Sequence, residues 1–364
     1  MNLALIRRHF AATGGAELYL QRLIAALAEA GHETHLYAEA WKGAPQGVTL
    51  HQVPVRATRA SRPPRFAEAV AGQLRGARHD IVLSLERTVS QDVYRAGDGV
   101  HAVWLEQRKR YAPWWRRWLI GRGAFHRNML ALEKRVFDPA VTRHVIANSE
   151  MVRQEILERF PFPAERVHLV RNGIHTARFQ TGERAAARRS LGLEPGHYAL
   201  LFAGSGWERK GLRFLIALMR RLEKSAPHVR LVVAGKGRLL RPPPRNVILA
   251  GPMPRVEDAY AAADLFTFLP VYEPGSNVVL EALASGLPVI TSRFNGAAEW
   301  VVEGENGHVL ADPADTAGLE AAVRHWMARP GARPVSAPFP LELEANVRGT
   351  LEVLERAFEE KRAG

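Results

Sequence analysis

Short apolar runs alternate along this chain with longer stretches whose apolar positions recur every three or four residues. Leu3–Ile6 is the first run. From about Ala16 to Ala30, Leu20, Leu23, Ile24 and Leu27 share one helical face, and Gly31 follows where a helix would end. His35–Ala38, Val48–Val55, Ile81–Leu85 and Val145–Ala147 read as further strands. Strand–helix alternation of this kind predicts a parallel sheet covered on both faces.

The rhythm then restarts. Ala199–Ala203, Leu231–Ala234, Val247–Ala250, Leu265–Leu269 and Val289–Thr291 predict strands, with helices at Leu212–Lys224, Val256–Ala263 and Asn277–Ala284. Arg171–Pro195 is polar and arginine-rich and carries Gly173, Gly182 and Gly192, which predicts a linker. A Pro-rich stretch, RPGARPVSAPFP, leads to a last amphipathic helix at about Leu341–Lys361. The expected organisation is α/β: two doubly wound domains over 1–172 and 173–340, then a helical segment over 341–364. Ligands of such sheets bind beyond the C-terminal ends of the strands, so a cleft between the domains is the expected site.

Composition adds boundaries. A length of 364 residues suits two domains, and 47% hydrophobic with 24% charged residues is ordinary for globular cores. The absence of cysteine excludes disulfides, thiolate metal sites and a thiolate nucleophile. No signal peptide is visible and no run reaches the ~18 apolar residues of a spanning helix. The expected place is therefore the cytosol or the cytoplasmic face of a membrane. The net charge of +13 favours anionic partners. Only seven of the 50 basic residues are lysines, and a GC-rich coding sequence also enriches arginine, so local clusters carry more than the total.

The segment PVYEPGSNVVLEALASGLPVITS supplies the most specific candidate chemistry. Ser276 and Asn277 can cap a helix. Glu273 lies on the loop before it, Gly275 in the bend, and Glu281 about one turn inside. A carboxylate accepts hydrogen bonds from two vicinal hydroxyls, so each glutamate suits one sugar ring, and the helix N-terminus suits phosphate. A loop carboxylate and a helix-surface glutamate of no function would read the same way. GSGWERKG (Gly204–Gly211) follows a predicted strand, and Arg209 and Lys210 suit a diphosphate. The spacing matches neither a Walker loop nor a dinucleotide fingerprint, and a basic turn explains it as well. In FAATGGAE, Gly14 and Gly15 open a helix that carries Glu17, which suits an anion or a tight turn equally.

Together these segments resemble the retaining glycosyltransferases of family 4, which have the GT-B fold of two Rossmann-like domains; FNGAAEWVVEGENGHVL (Phe294–Leu310) is similar to that family as well. DVYRAGDGVHAVW and HRNMLALEKRVFD resemble the members that add a hexose to the lipopolysaccharide core. The resemblance implies a nucleotide sugar held by the second domain and an acceptor by the first, with the C-terminal helix crossing back. Glu281 would hold the ribose hydroxyls and Glu273 the donor sugar. Arg209 and Lys210 would bind the diphosphate and stabilise the charge of the leaving group. Gly204 and Lys236 would line the nucleotide site, and Asp98 would orient or deprotonate the attacking hydroxyl. A solvated turn lysine or an ordinary loop aspartate are the plain alternatives for Lys236 and Asp98. No cofactor and no metal are expected. His101 and Glu299 fall in matching stretches without an assigned role.

The residues from His101 to Arg135 hold nine Lys/Arg, two acids and Trp104, Trp114, Trp115 and Trp118. Trp114, Trp115, Trp118, Leu119, Phe125, Met129, Leu132 and Val136 share one helical arc, with Pro113 at its start and Gly121 and Gly123 as interruptions. The Trp-rich half suits an anionic membrane surface over about 101–127, and the later half a core. A helix packed on the sheet, with a solvated basic face, is the alternative. The expected partners are a nucleotide sugar and a membrane-anchored glycolipid, without nucleic acid. A UDP-sugar 2-epimerase on the same fold and a basic nucleic-acid-binding protein are the rival functions.

Overall fold

The computed structural model describes residues 1–10, 15–41, 47–331 and 337–363, with the backbone alone at 10 and 15–18. It divides into two compact units, Met1–Arg171 with Leu343–Gly364, and Asn172–Glu342.

In the first unit the strands are β1 (Asn2–Ile6), β2 (His9–Phe10), β3 (Glu33–Ala38), β4 (Ala40–Trp41), β5 (Val48–Gln52), β6 (Ile81–Ser84), β7 (Val93–Arg95), β8 (His144–Ala147) and β9 (Val167–Leu169). Seven of them form a parallel sheet in the order β5-β3-β1-β6-β7-β8-β9, and β2 pairs with β4. Its helices are α1 (Gly15–Glu29), α2 (Arg62–Arg75), α3 (His101–Arg110), α4 (Trp114–Arg117), α5 (Ala124–Val136) and α6 (Glu150–Arg159). Leu3, Leu5, Leu83 and Ile146 of the sheet share a core with Leu20, Leu23 and Leu27 of α1. A parallel sheet buried on both faces demands such unbroken apolar strands.

The second unit opens with α7 (Arg184–Ser190). Its sheet contains β10 (Tyr198–Ala203), β11 (Val229–Ala234), β12 (Val247–Gly251), β13 (Leu265–Phe268), β14 (Val289–Ser292) and β15 (Gly307–Leu310), all parallel, in the order β12-β11-β10-β13-β14-β15. The helices α8 (Leu212–Ser225), α9 (Val256–Ala262), α10 (Asn277–Ala284) and α11 (Thr316–Met327) cover it. Leu212, Leu215, Met219 and Leu222 of α8 recur at helical spacing and are buried against β10 and β11 residues.

The final helix, α12 (Leu343–Ala363), returns to the first unit. Leu343, Val347, Leu354 and Ala357 enter that core, and the Tyr19 hydroxyl lies 3.3 Å from Thr350 Oγ1. At its end Lys361 Nζ pairs with Asp92 Oδ2 at 3.0 Å, and Glu360 meets the buried His144 at 2.9 Å.

Three differences from the sequence reading are informative. Strands β7, β9 and β15 are three or four residues long and each includes an arginine or a histidine, so no apolar run marks them. The expected linker at Arg171–Pro195 belongs to the second unit from Asn172 onward. Phe179, Ala187 and Leu193 enter its core, and three of the arginines are held by carboxylates. Arg184 and Arg188 grip Asp264 at 2.5 and 3.4 Å, and Arg178 pairs with Glu257 at 3.1 Å. The basic tryptophan segment is broken into α3, α4 and α5, with a left-handed Gly121 (φ 87°) between the last two. Leu132 and Val136 are buried, whereas Trp114, Trp115 and Trp118 are 81%, 54% and 59% exposed. Among the described residues no helix is long and apolar enough to cross a membrane.

Candidate functional site

In the second sheet the strand order runs outward in both directions from the β10/β13 pair, which makes that pair the topological switch point. Open α/β sheets bind ligands at this place, beyond the strand C-termini. The loops that leave β10 and β13 carry Gly204–Gly211 and Pro270–Ser276.

The β10 loop is built by close approach. Gly204 has φ 135°, and the Lys210 side chain crosses where a Cβ would stand. Gly235, after β11, has φ 120° and lies against the Gly204 carbonyl. The Gly206 amide donates to the Lys236 carbonyl at 3.2 Å, and the Lys236 amide donates to Ser205 Oγ at 3.2 Å. The Lys236 side chain is exposed. Trp207 Nε1 donates to the Gly204 carbonyl at 3.1 Å and closes the turn. At the end of the loop Gly211, left-handed at φ 77°, begins α8 under the Leu269 carbonyl.

The β13 loop comes alongside. Arg209 Nη1 donates to Glu273 Oε2 at 2.7 Å and to the Tyr272 carbonyl at 3.2 Å. The Val271 amide donates to the Arg209 carbonyl at 3.0 Å. Lys210 Nζ lies 5.6 Å from the centre of the Phe268 ring. Burial pulls its pKa below the ordinary lysine value; Glu273 and Glu281 push it back up, and Arg209 pulls it further down. Burial raises the Glu281 pKa, partly offset by the Tyr260 hydroxyl, Arg178 and Lys210. Tyr260 donates to Glu281 Oε2 at 2.7 Å. Arg209, Lys210, Glu273 and Glu281 thus form one electrostatic group at the switch point.

Ser276 stands at the N-cap of α10 as expected, yet its hydroxyl makes no cap bond. It faces Asn295 Nδ2 at 3.1 Å instead. Gly275 and Asn277 are bridged by Asn172, whose amide donates to the Gly275 carbonyl at 3.0 Å and to Asn277 Oδ1 at 3.1 Å. The first turn of α10 holds no acidic residue, so its amide end keeps the positive character that attracts anions. Glu299 lies in the short turn Gly296–Trp300, whose N-cap is Asn295.

In the first unit Asp98 follows β7, between Gly97 and the left-handed Gly99 (φ 64°). Its side chain is 73% exposed and lies 4.0 Å from Arg87 Nη1. The neighbouring strand ends place Glu86 against Arg7 at 3.4 Å, and burial raises the Glu86 pKa. His101 is buried against His126 at 3.2 Å. Burial, Arg87 and His126 lower its pKa to about 4, so it is neutral at physiological pH. Gly14 lies outside the described residues; Gly15 and Glu17 are in the first turn of α1. Tyr260, Arg87 and Glu133 were not singled out by the sequence reading. Their only signal was a polar residue on the buried side of a helix or strand end.

Residues 13–178 match the model of Glycosyltransferase Family 4, and residues 197–329 that of Glycosyl transferases group 1. The chain is 25% identical over 331 residues to the lipopolysaccharide glucosyltransferase WaaG of Escherichia coli K12, covering 85% of each. A crystal structure of WaaG, a glycosyltransferase involved in lipopolysaccharide biosynthesis, matches with a TM-score of 0.75 at 24% identity over 100% of both chains. HepE of Anabaena, solved with UDP and glucose, matches with a TM-score of 0.69 at 15% identity over 98% of this chain and 99% of its own. With both domain models and the whole fold in agreement, the chain belongs to the family 4 glycosyltransferases and has their GT-B fold.

Proposed function

We propose that this enzyme moves a hexose, specifically glucose, from a UDP-sugar to the heptose region of a lipopolysaccharide core or a similar membrane glycolipid, with retention and without a metal. The observation that carries the reading is the group formed by Arg209, Lys210, Glu273 and Glu281 at the switch point. Glu281 accepts from the ribose hydroxyls with the oxygen that Tyr260 leaves available. Glu273, anchored by Arg209, accepts from hydroxyls of the sugar.

The diphosphate lies against Lys210, Arg209 and the amide end of α10. The bond from the anomeric carbon to the β-phosphate breaks with its electron pair on the phosphate. These cations act on the charge as it develops, which is where electrostatic catalysis is strongest. The acceptor oxygen bonds the same face of the anomeric carbon, and its proton passes to the departing phosphate. Asp98 orients that hydroxyl or takes the proton first. The two glutamates are then binding groups and not a glycosidase acid–nucleophile pair.

The exposed Trp114, Trp115 and Trp118, among Arg110, Arg116, Arg117 and Arg122, fit a peripheral contact with the anionic cytoplasmic leaflet. This keeps the enzyme beside a lipid-linked acceptor. The glucosyl transfer in the name of the WaaG relative, and the UDP and glucose of the HepE crystal, support the choice of UDP-glucose.

A thermal-shift screen of nucleotide sugars, followed by transfer to deacylated inner-core acceptor, tests the reading. Stabilisation by UDP-glucose and formation of a glucosylated acceptor support it. Acceptor-independent rearrangement of the sugar would instead mark an epimerase.

A further inference from the structure

We propose that Arg87 and Glu133 are positioning residues for Asp98: a buried ion pair that clamps the backbone just after Asp98, from Gly99 to Ala102, and aims its carboxylate. This rests on the reading that Asp98 serves the acceptor. The Arg87 and Glu133 side chains are 5% and 1% exposed, with Nη2 3.4 Å from Oε1. A buried pair is costly to desolvate and is weak evidence for stability by itself. Its hydrogen bonds show what it does here.

Arg87 Nη2 donates to the Gly99 carbonyl at 2.6 Å, while Nη1 stands 4.0 Å from Asp98 Oδ2. Glu133 Oε1 accepts from the His101 amide at 2.5 Å, and Oε2 from the Ala102 amide at 3.0 Å. Those amides open α3, whose N-cap, Val100, has no side-chain acceptor. Glu133 of α5 therefore caps α3 from a neighbouring helix. The guanidinium spans from that cap to the loop before it. Asp98 is flanked by two glycines, one of them left-handed, and its side chain is largely in solvent. Such a loop has little rigidity of its own. The planar fork of Arg87 donates to the Gly99 carbonyl while it stays within ion-pair distance of Glu133 and Asp98, a spread that a lysine ammonium cannot reproduce.

The test is a double-mutant cycle on transfer from UDP-glucose to deacylated inner-core acceptor, with Arg87→Lys, Asp98→Asn and the pair. Arg87→Lys is expected to lower kcat at least tenfold, since small misplacements of reacting groups cost up to about 100-fold. The donor KM and UDP affinity should stay within about twofold, because those contacts belong to the second unit. In the Asp98→Asn background the same change should cost less than about twofold. Glu133→Gln keeps the shape, loses the charge, and should show the same pattern more weakly; it decides the case if Arg87→Lys lowers the melting temperature. Equal losses in both backgrounds, or a loss seen only in donor KM, would overturn the proposal. Full transfer activity in Asp98→Asn would remove the acceptor role of Asp98 itself. An inactive Asp98→Asn beside a fully active Arg87→Lys would remove only the positioning role.

Discussion

Arg209 Nη1 donates to Glu273 Oε2 at 2.7 Å, across the two loops that flank the switch point of the second sheet. The pair is partly exposed on the arginine side and largely buried on the glutamate side. A charge-assisted bond in that setting contributes about 1.5–3 kcal/mol. It holds each partner at the place proposed above for the diphosphate and the sugar. Lys210 and Glu281 complete the group: Glu273, Arg209 and Glu281 act on Lys210, and Lys210 acts on Glu281.

Lys210 gives the first prediction. Burial lowers its pKa, so it loses its proton at a pH below that of a free lysine, about 10.4. The protonated form is the one that binds phosphate. Hence kcat/KM for the donor, which reports the free enzyme, should fall as pH rises through the lowered value. Lys210→Arg should abolish that alkaline limb, since a guanidinium stays charged. A pH–rate profile over about pH 7–10 for both proteins checks this.

Glu281→Ala should raise the UDP dissociation constant about tenfold to a hundredfold, the loss of one or two charge-assisted bonds. In the unmodified protein, burial raises the Glu281 pKa. A protonated carboxyl is a poorer acceptor, so UDP affinity should start to fall on acidification at a pH above the usual carboxylate range. Calorimetric titrations at several pH values measure both effects.

Gly211→Ala tests the architecture rather than the chemistry. Gly211 has φ 77°, and a Cβ there would run into the Leu269 carbonyl. The left-handed backbone alone costs about 1 kcal/mol for an L side chain, and the overlap adds to it. The melting temperature of the second unit should drop by at least about 2–4 °C. A calorimetric scan reads it directly.

Much of this was legible beforehand for physical reasons. Leu3–Ile6 of β1, Ala199–Ala203 of β10 and Leu231–Ala234 of β11 are buried on both faces, so their sequences are unbroken apolar runs. Helix α10 was bounded to the residue by its Ser-Asn start and Ser-Gly end. The strand β7 was not seen, because Val93–Arg95 follows Ser-Gln-Asp and ends in an arginine and so shows no apolar run, although Asp98 follows it. Nor was the fate of the arginines at 178, 184 and 188 visible. Charge patterning cannot distinguish an arginine in water from one bound to an aspartate some eighty positions away, as Arg184 is to Asp264. Tyr260 escaped for a similar reason: its partner Glu281 lies on another helix.

The exposed tryptophans give the next prediction. Trp114, Trp115 and Trp118 stand in solvent on and beside α4, with Arg116 stacked on Trp115 and Arg122 on Trp118. Replacing all three with Ser should cut partitioning onto vesicles with acidic phospholipid by at least about tenfold, and hardly change binding to neutral ones. The melting temperature should stay within about 2 °C, since little buried area is lost. Unchanged partitioning would remove this segment from the membrane contact.

The central claim is that the four charged residues of the second unit grip an activated sugar, with Glu281 on the nucleotide and Glu273 on the hexose. Isothermal titration of UDP and of UDP-glucose into the unmodified protein and into Glu273→Ala tests it most directly. The unmodified protein should bind both ligands, and Glu273→Ala should keep its UDP affinity within about threefold while losing about tenfold or more for UDP-glucose. If the unmodified protein bound neither ligand, or if Glu273→Ala left UDP-glucose binding intact, the claim would be contradicted.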